Sequence, residues 1–122
     1  MTPQETAVEQ FKYFAQNETS EKITFGLLPA SGGIVLQVIT DGREFTSLNL
    51  QNRRAVILLN ILAKYKSQST AYSQLCKIAN SCGTAKFSAP VVNADARSGP
   101  AFVGKDGDYW IYSMTVDIRI EI

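Results

Sequence analysis

An α+β fold is what this sequence predicts: a mainly antiparallel sheet, an N-terminal helix and a second helix packed on one side, and a long C-terminal strand. Three observations carry the prediction. Residues 109–122 alternate between apolar and polar positions, which is the side-chain period of a half-buried strand. Apolar residues at helical spacing occur in two separate stretches, near residues 3–15 and 67–82. Turn clusters rich in Gly, Pro and Asp break the rest into short alternating runs.

The first helix opens at Thr2-Pro3-Gln4-Glu5. Thr2 suits the cap, Pro3 the first helical position, and Glu5 completes a capping box. Ala7, Val8, Phe11, Phe14 and Ala15 follow on one face, and residues 17–22 form a polar break. Ile23, Phe25 and Leu27 alternate as a strand, residues 29–33 (PASGG) form a turn, and Ile34, Leu36 and Val38 alternate again. Asp41-Gly42 is a hairpin signal, so residues 43–50 are expected to return as the partner strand. Residues 53–66 fit a helix through Ala55, Leu58, Leu59, Leu62 and Tyr65. They also fit a strand through Ile57, Leu59, Ile61, Ala63 and Tyr65. The β-branched content and the polar face of Asn60, Lys64 and Lys66 favour the strand.

A second helix starts at residues 67–70, carries Ala71, Leu75, Ile78, Ala79 and Cys82 as its stripe, and ends at Gly83 in a position suited to a left-handed cap. Residues 87–92 are a short strand candidate and residues 93–100 a polar loop of small residues. Another strand begins at 101–103, residues 104–108 make a hairpin turn, and the long last strand follows. At ~3.3 Å per residue that strand would reach ~45 Å, against roughly 20 Å for a common strand. Such a strand must bend, bulge or find partners in another copy.

Length and composition suit one domain spanning residues 1–122. Hydrophobic residues make up 45% and net charge is +1, so neither disorder nor binding to nucleic acid or membrane by charge alone is indicated. No apolar run approaches the ~20 residues of a membrane span, and the polar first ten residues do not read as a secretory signal. Without that signal, the sequon at Asn17-Glu18-Thr19 is not expected to be glycosylated. The chain contains no histidine, which removes the usual general base and the commonest metal ligand. Cys76 and Cys82 fit neither a zinc spacing nor a bridge within one helix, and read as buried free thiols. No catalytic, metal or cofactor site is expected.

Other candidate sites have plainer readings. Ser31-Gly32-Gly33 leads into a strand rather than a helix, so a turn explains it better than a phosphate cradle. Arg53, Arg54, Lys64 and Lys66 are the only basic concentration and read as a charged, solvated strand edge. Asp106 and Asp108 flank a turn glycine. Tyr109, Trp110 and Tyr112 read as core or subunit interface. Asp117, Arg119 and Glu121 share one strand face and could bridge to a neighbouring subunit.

ITFGLLPASGGIVLQV at 23–38 resembles the early hairpin of the phage minor capsid protein family. DGDYWIYSMTVDIRIEI at 106–122 resembles that family's closing strand, and LNILAKYKSQSTAYSQLCKIANSC at 59–82 its strand, lysine-rich turn and helix. Members of the family are similar to tail terminators of long-tailed phages and contractile particles. The resemblance implies a virion protein assembled in a bacterial cytoplasm, a hexameric ring of identical subunits. That ring would cap the head-proximal end of the tail tube and face the head connector or neck protein. DNA would pass through its lumen without specific binding. The family has no catalytic residues to carry over. Within that picture, Arg43, Phe45, Asp117, Arg119 and Glu121 are candidate inter-subunit residues. Asn93, Asp95 and Arg97 are candidates for docking to the adjacent ring, on a loop expected to be mobile in the free subunit. Three alternatives remain open: another ring of the same particle (a neck or head-completion protein, or a tube subunit), a small ligand-binding α+β domain, and a nucleic-acid module built on Arg53, Arg54, Lys64 and Lys66.

Overall fold

A computed structural model describes residues 2–40, 44–46 and 53–121. The element order is α1 (Pro3–Thr19), β1 (Ile23–Phe25), β2 (Gly33–Thr40), β3 (Glu44–Thr46), β4 (Arg53–Tyr65), α2 (Gln68–Cys82), β5 (Val91–Ala96), β6 (Ala101–Asp106) and β7 (Tyr109–Glu121). The α+β expectation holds. Among the described residues seven strands form one sheet, antiparallel in every pairing but β1–β2.

The sheet is organised around two long strands. β4 and β7 each span 13 residues and pair continuously from Arg54↔Glu121 to Tyr65↔Trp110. The free edge of β4 is shared by β2, along residues 58–64, and β3, along residues 53–55. The free edge of β7 is shared by β5, along residues 116–120, and β6, along residues 109–113. The long last strand is therefore satisfied within its own chain. Its length does not by itself call for a second copy.

One face of the sheet holds the core. Ala55, Ile57, Leu59, Ile61 and Ala63 of β4 alternate with half-buried neighbours, as do Tyr112, Met114, Val116, Ile118 and Ile120 of β7. Both rows face the helices. From α1 come Ala7, Val8, Phe11 and Ala15, and from α2 come Ala71, Leu75, Ile78 and Cys82. Each full burial of a Leu, Ile or Phe contributes roughly 1.5–3 kcal/mol, which is why the amphipathic stripes and the strand alternation determine the same layer. The opposite face is mixed rather than polar. Val56, Leu58, Leu62 and Ile111 are half-buried there beside Asn60, Ser113 and Thr115.

Helix ends follow their local chemistry. The Thr2 hydroxyl accepts from the Glu5 amide at 3.1 Å, and the Glu5 carboxylate accepts from the Thr2 amide at 3.4 Å, closing the expected capping box. α1 runs through the expected polar break to Thr19, where the buried Thr19 hydroxyl donates to the Ala15 carbonyl at 2.8 Å. Ser67 caps α2 through the Thr70 amide at 3.3 Å. Gly83 has φ −68° and ψ −24°, so it ends α2 in right-handed rather than left-handed geometry.

Three expectations about strands are corrected. β1 and β2 are parallel (Ile23↔Ile34 to Phe25↔Leu36), not a hairpin. β1 has only three residues, so the chain must return only ~10 Å, and residues 26–32 are enough to do that. Asp41-Gly42 lies outside the described residues, and β2 and β3 both run antiparallel to β4. Along β4 the partners of β2 run from Lys64 to Leu58, with a register shift between Val38 and Thr40, and those of β3 from Ala55 to Arg53. Residues 44–46 thus return against β4, not β2. Finally, the strand expected at 87–92 lies at Val91–Ala96, and the first half of the expected loop at 93–100 is β5 itself. Phe87 instead fills a cluster of rings with Phe11 and Phe14, at centroid distances of 6.4 and 5.4 Å.

Candidate assembly surface

β5 is an edge strand whose burial repeats every three residues, Val91 and Ala94 inward, because a bulge interrupts its register between Val91 and Asn93. The bulge aligns Asn93 with Arg119 and Asp95 with Asp117 on the face away from the helices. Two like charges, Asp95 and Asp117, are thereby placed opposite one another, an unfavourable pair unless countered. Cations counter both. The Arg119 guanidinium donates through Nη1 to Asp95 at 2.7 Å and to Asn93 at 3.0 Å. Arg97 Nη1 stands 3.8 Å from Asp117 Oδ1, too far for a hydrogen bond. Asp117 Oδ1 is buried with no hydrogen-bond partner, which leaves the patch one donor short.

Five candidate residues from two separate stretches of sequence thus converge on one patch: Asn93, Asp95, Arg97, Asp117 and Arg119. Asn93 and Asp95 belong to a paired strand, so the expected mobile docking loop is reduced to the few residues after Ala96. There the Arg97 amide donates to the Thr115 carbonyl at 2.8 Å, and the Ser98 hydroxyl bonds that of Thr115 at 2.9 Å. Glu121 sits at the end of the same strand face, its amide donating to the Pro90 carbonyl at 2.9 Å. Phe45 lies on the far edge of the sheet, paired with Arg54 in β3–β4. Arg43 lies outside the described residues.

The expected basic strand edge is not a unit. Arg54 and Lys64 are ten residues apart on β4, or ~33 Å. Lys64 is not solvated either. Its side chain is 6% exposed, pairs with Asp106 at 2.8 Å and lies 5.1 Å from the Tyr109 ring centre. Asp106 therefore anchors a lysine as well as leading into the Gly107-Asp108 turn. Tyr112 is core, as expected, while Trp110 is half-buried at the rim beneath Lys105, whose Nζ is 4.5 Å from the ring centre.

Of the two free thiols, Cys82 is buried and Cys76 is not. Burial pushes the Cys82 thiol up from its ordinary value. Among the described residues no group of three or more Asp, Glu or Cys side chains is placed to hold a metal, and no helix is long and apolar enough to cross a membrane.

Sequence reasoning missed two features. One is an apolar groove between α1 and β2, lined by Val8, Phe25, Leu36, Val38 and Ile57. The other is the exposed pair Phe102 and Val103 on β6. No signal in the chain distinguishes these apolar residues from core, because their exposure depends on which strands end the sheet.

No family model matches the chain, and neither does any curated protein sequence. Among solved structures it is similar to a chain of the virion of a native gene transfer agent particle. The TM-score is 0.59 at 13% identity, covering 98% of this chain and 94% of that one. The likeness extends over the whole α+β architecture and establishes the fold.

Proposed function

We propose that this protein is a structural subunit of a phage or phage-tail-like particle. More narrowly, it is a tail terminator: a ring, six copies in the reading from sequence, that caps the head-proximal end of the tail tube and faces the head connector. The observation that carries the reading is the correspondence of fold along nearly the full length of both chains with a virion component. It agrees with the independent resemblance in residues 23–38, 59–82 and 106–122. A chain without histidine is also poorly equipped for the common acid–base chemistries. The β5–β7 charge patch is a docking surface in this reading. Asn93 and Asp95 are presented on an edge strand, with Arg97 directly after it. The lumen passes DNA without reading it.

Light scattering on a sizing column, with negative-stain imaging of the same peak, tests the reading. Closed rings near six copies that stop growth of tail tubes support it. Open tubes assign the chain to the tube instead. A monomer that ignores tube ends and shifts its melting temperature with a metabolite overturns it in favour of a small-ligand domain.

A further inference from the structure

Towards opposite edges of the sheet lie two exposed apolar surfaces, one a recess and the other a projection. On the β2 side, α1 and β2 frame an open groove of about 630 Å³. Val38 points to the helix face, in register with Leu59, where it should be core, yet it is 52% exposed. Phe25 at the same opening is 44% exposed. Glu9 lines the groove and has no ion-pair partner among the described residues. At the other edge, Phe102 and Val103 of β6 are 54% and 56% exposed. Phe102 is braced by Trp110 and Tyr112, each ring centre 5.7 Å away, so it is held as a fixed projection. Lys105 lies beside it, held over Trp110.

We propose that β6 of one copy docks into the α1–β2 groove of the next. Phe102 and Val103 cover Val38 and Phe25, and Lys105 faces Glu9. Three strand spacings, or ~14 Å, separate β6 from β2 within one sheet, so the two surfaces cannot satisfy each other in the same chain. A projection on one edge and a recess on the other make a heterologous contact, which closes into a ring or runs on as an open filament. The groove is lined by Glu5 and Glu9 against one lysine, Lys12, held 5.6 Å from the Phe25 ring centre, and this acidic excess opposite Lys105 favours a second copy of this chain over an unrelated apolar partner. Closure of the contact into a ring rests on the terminator reading; the contact itself does not.

Val38→Cys and Val103→Cys are introduced together on a Cys76→Ser background and treated with a short bismaleimide. A ladder of dimers and larger species is expected from the pair and from neither single variant. Glu9→Lys alone should weaken association by roughly tenfold, and adding Lys105→Glu should restore it. Circular dichroism confirms that each variant is folded. Closed rings that give no ladder and ignore Glu9→Lys overturn this contact while leaving the ring reading intact. A ladder from open head-to-tail chains that never close keeps the contact and overturns the ring. No ladder and no association at any concentration overturns the contact.

Discussion

Replacing Gly32 by alanine tests how the β1–β2 end of the outer face is closed. Gly32 has φ +85°, and a Cβ there would lie 2.6 Å from the Lys64 carbonyl oxygen and 3.1 Å from the Tyr109 ring. The neighbouring Gly33 has φ +127° with open space around its Cβ position. Alanine at either site must adopt a backbone conformation that costs about 1–2 kcal/mol. At Gly32 it must also displace a backbone carbonyl inside the β2–β4 ladder, for about 1–3 kcal/mol more. Gly33→Ala should therefore destabilise by about 1–2 kcal/mol and Gly32→Ala by about 2–5 kcal/mol. For a domain of this size, each kcal/mol corresponds to a fall in Tm of about 3–5 °C. Urea unfolding followed by tryptophan fluorescence reads the difference, since Trp110 is the only tryptophan. Equal losses for the two variants, or a milder Gly32→Ala, would refute the close approach of Gly32 to Lys64 and Tyr109.

The remaining predictions concern charge and thiols. Lys64→Met should leave stability within about 1 kcal/mol, whereas Asp106→Ala should cost more, because it strands a buried ammonium; equilibrium unfolding of both variants checks the order. Arg119→Ala removes the counter-charge to Asp95, which stands opposite Asp117, and should cost about 1 kcal/mol, with the loss shrinking at high salt. A maleimide should label Cys76 in the native protein and reach Cys82 only on unfolding, as peptide mass mapping would show. Burial raises the Cys82 thiol, and burial first with the Glu21 charge second raises the Tyr65 phenol. The folded state thus keeps protons that the unfolded chain releases. Stability should fall as pH rises past the ordinary thiol value of about 8.5, and Cys82→Ala should flatten the first part of that fall.

What the sequence made legible follows from period and burial. β4 and β7 read as strands because each has one face fully inside, and Asn60 and Lys64 mark the other. The capping box at Thr2 and Glu5 was equally direct, because it is local chemistry. β5 was hidden because its bulge converts a period of two into a period of three, and because Asn93, Asp95 and Ala96 are exposed. Alternation also carries no direction, so Ile23 and Ile34 could announce strands without revealing that they run parallel. Residues 44–46 join β4 rather than β2, because a turn signal does not specify which strand the following residues join. The candidate patch was legible as two lists of polar residues. That Arg119 joins them depends on a register that no residue pattern encodes.

The pairing of β4 with β7 has a kinetic consequence. Its nearest pair in sequence, Tyr65↔Trp110, encloses α2, β5 and β6, and its farthest, Arg54↔Glu121, encloses nearly the whole second half of the chain. Every edge strand but β1 lies against one of these two strands. The cost of closing that loop falls before the sheet returns any of it, which places folding in the slow, millisecond-to-second range of non-local β topologies. Until β7 arrives, β4 is a 13-residue strand with five core side chains uncovered. During refolding that interval, rather than the finished sheet, is when this chain is most exposed to aggregation.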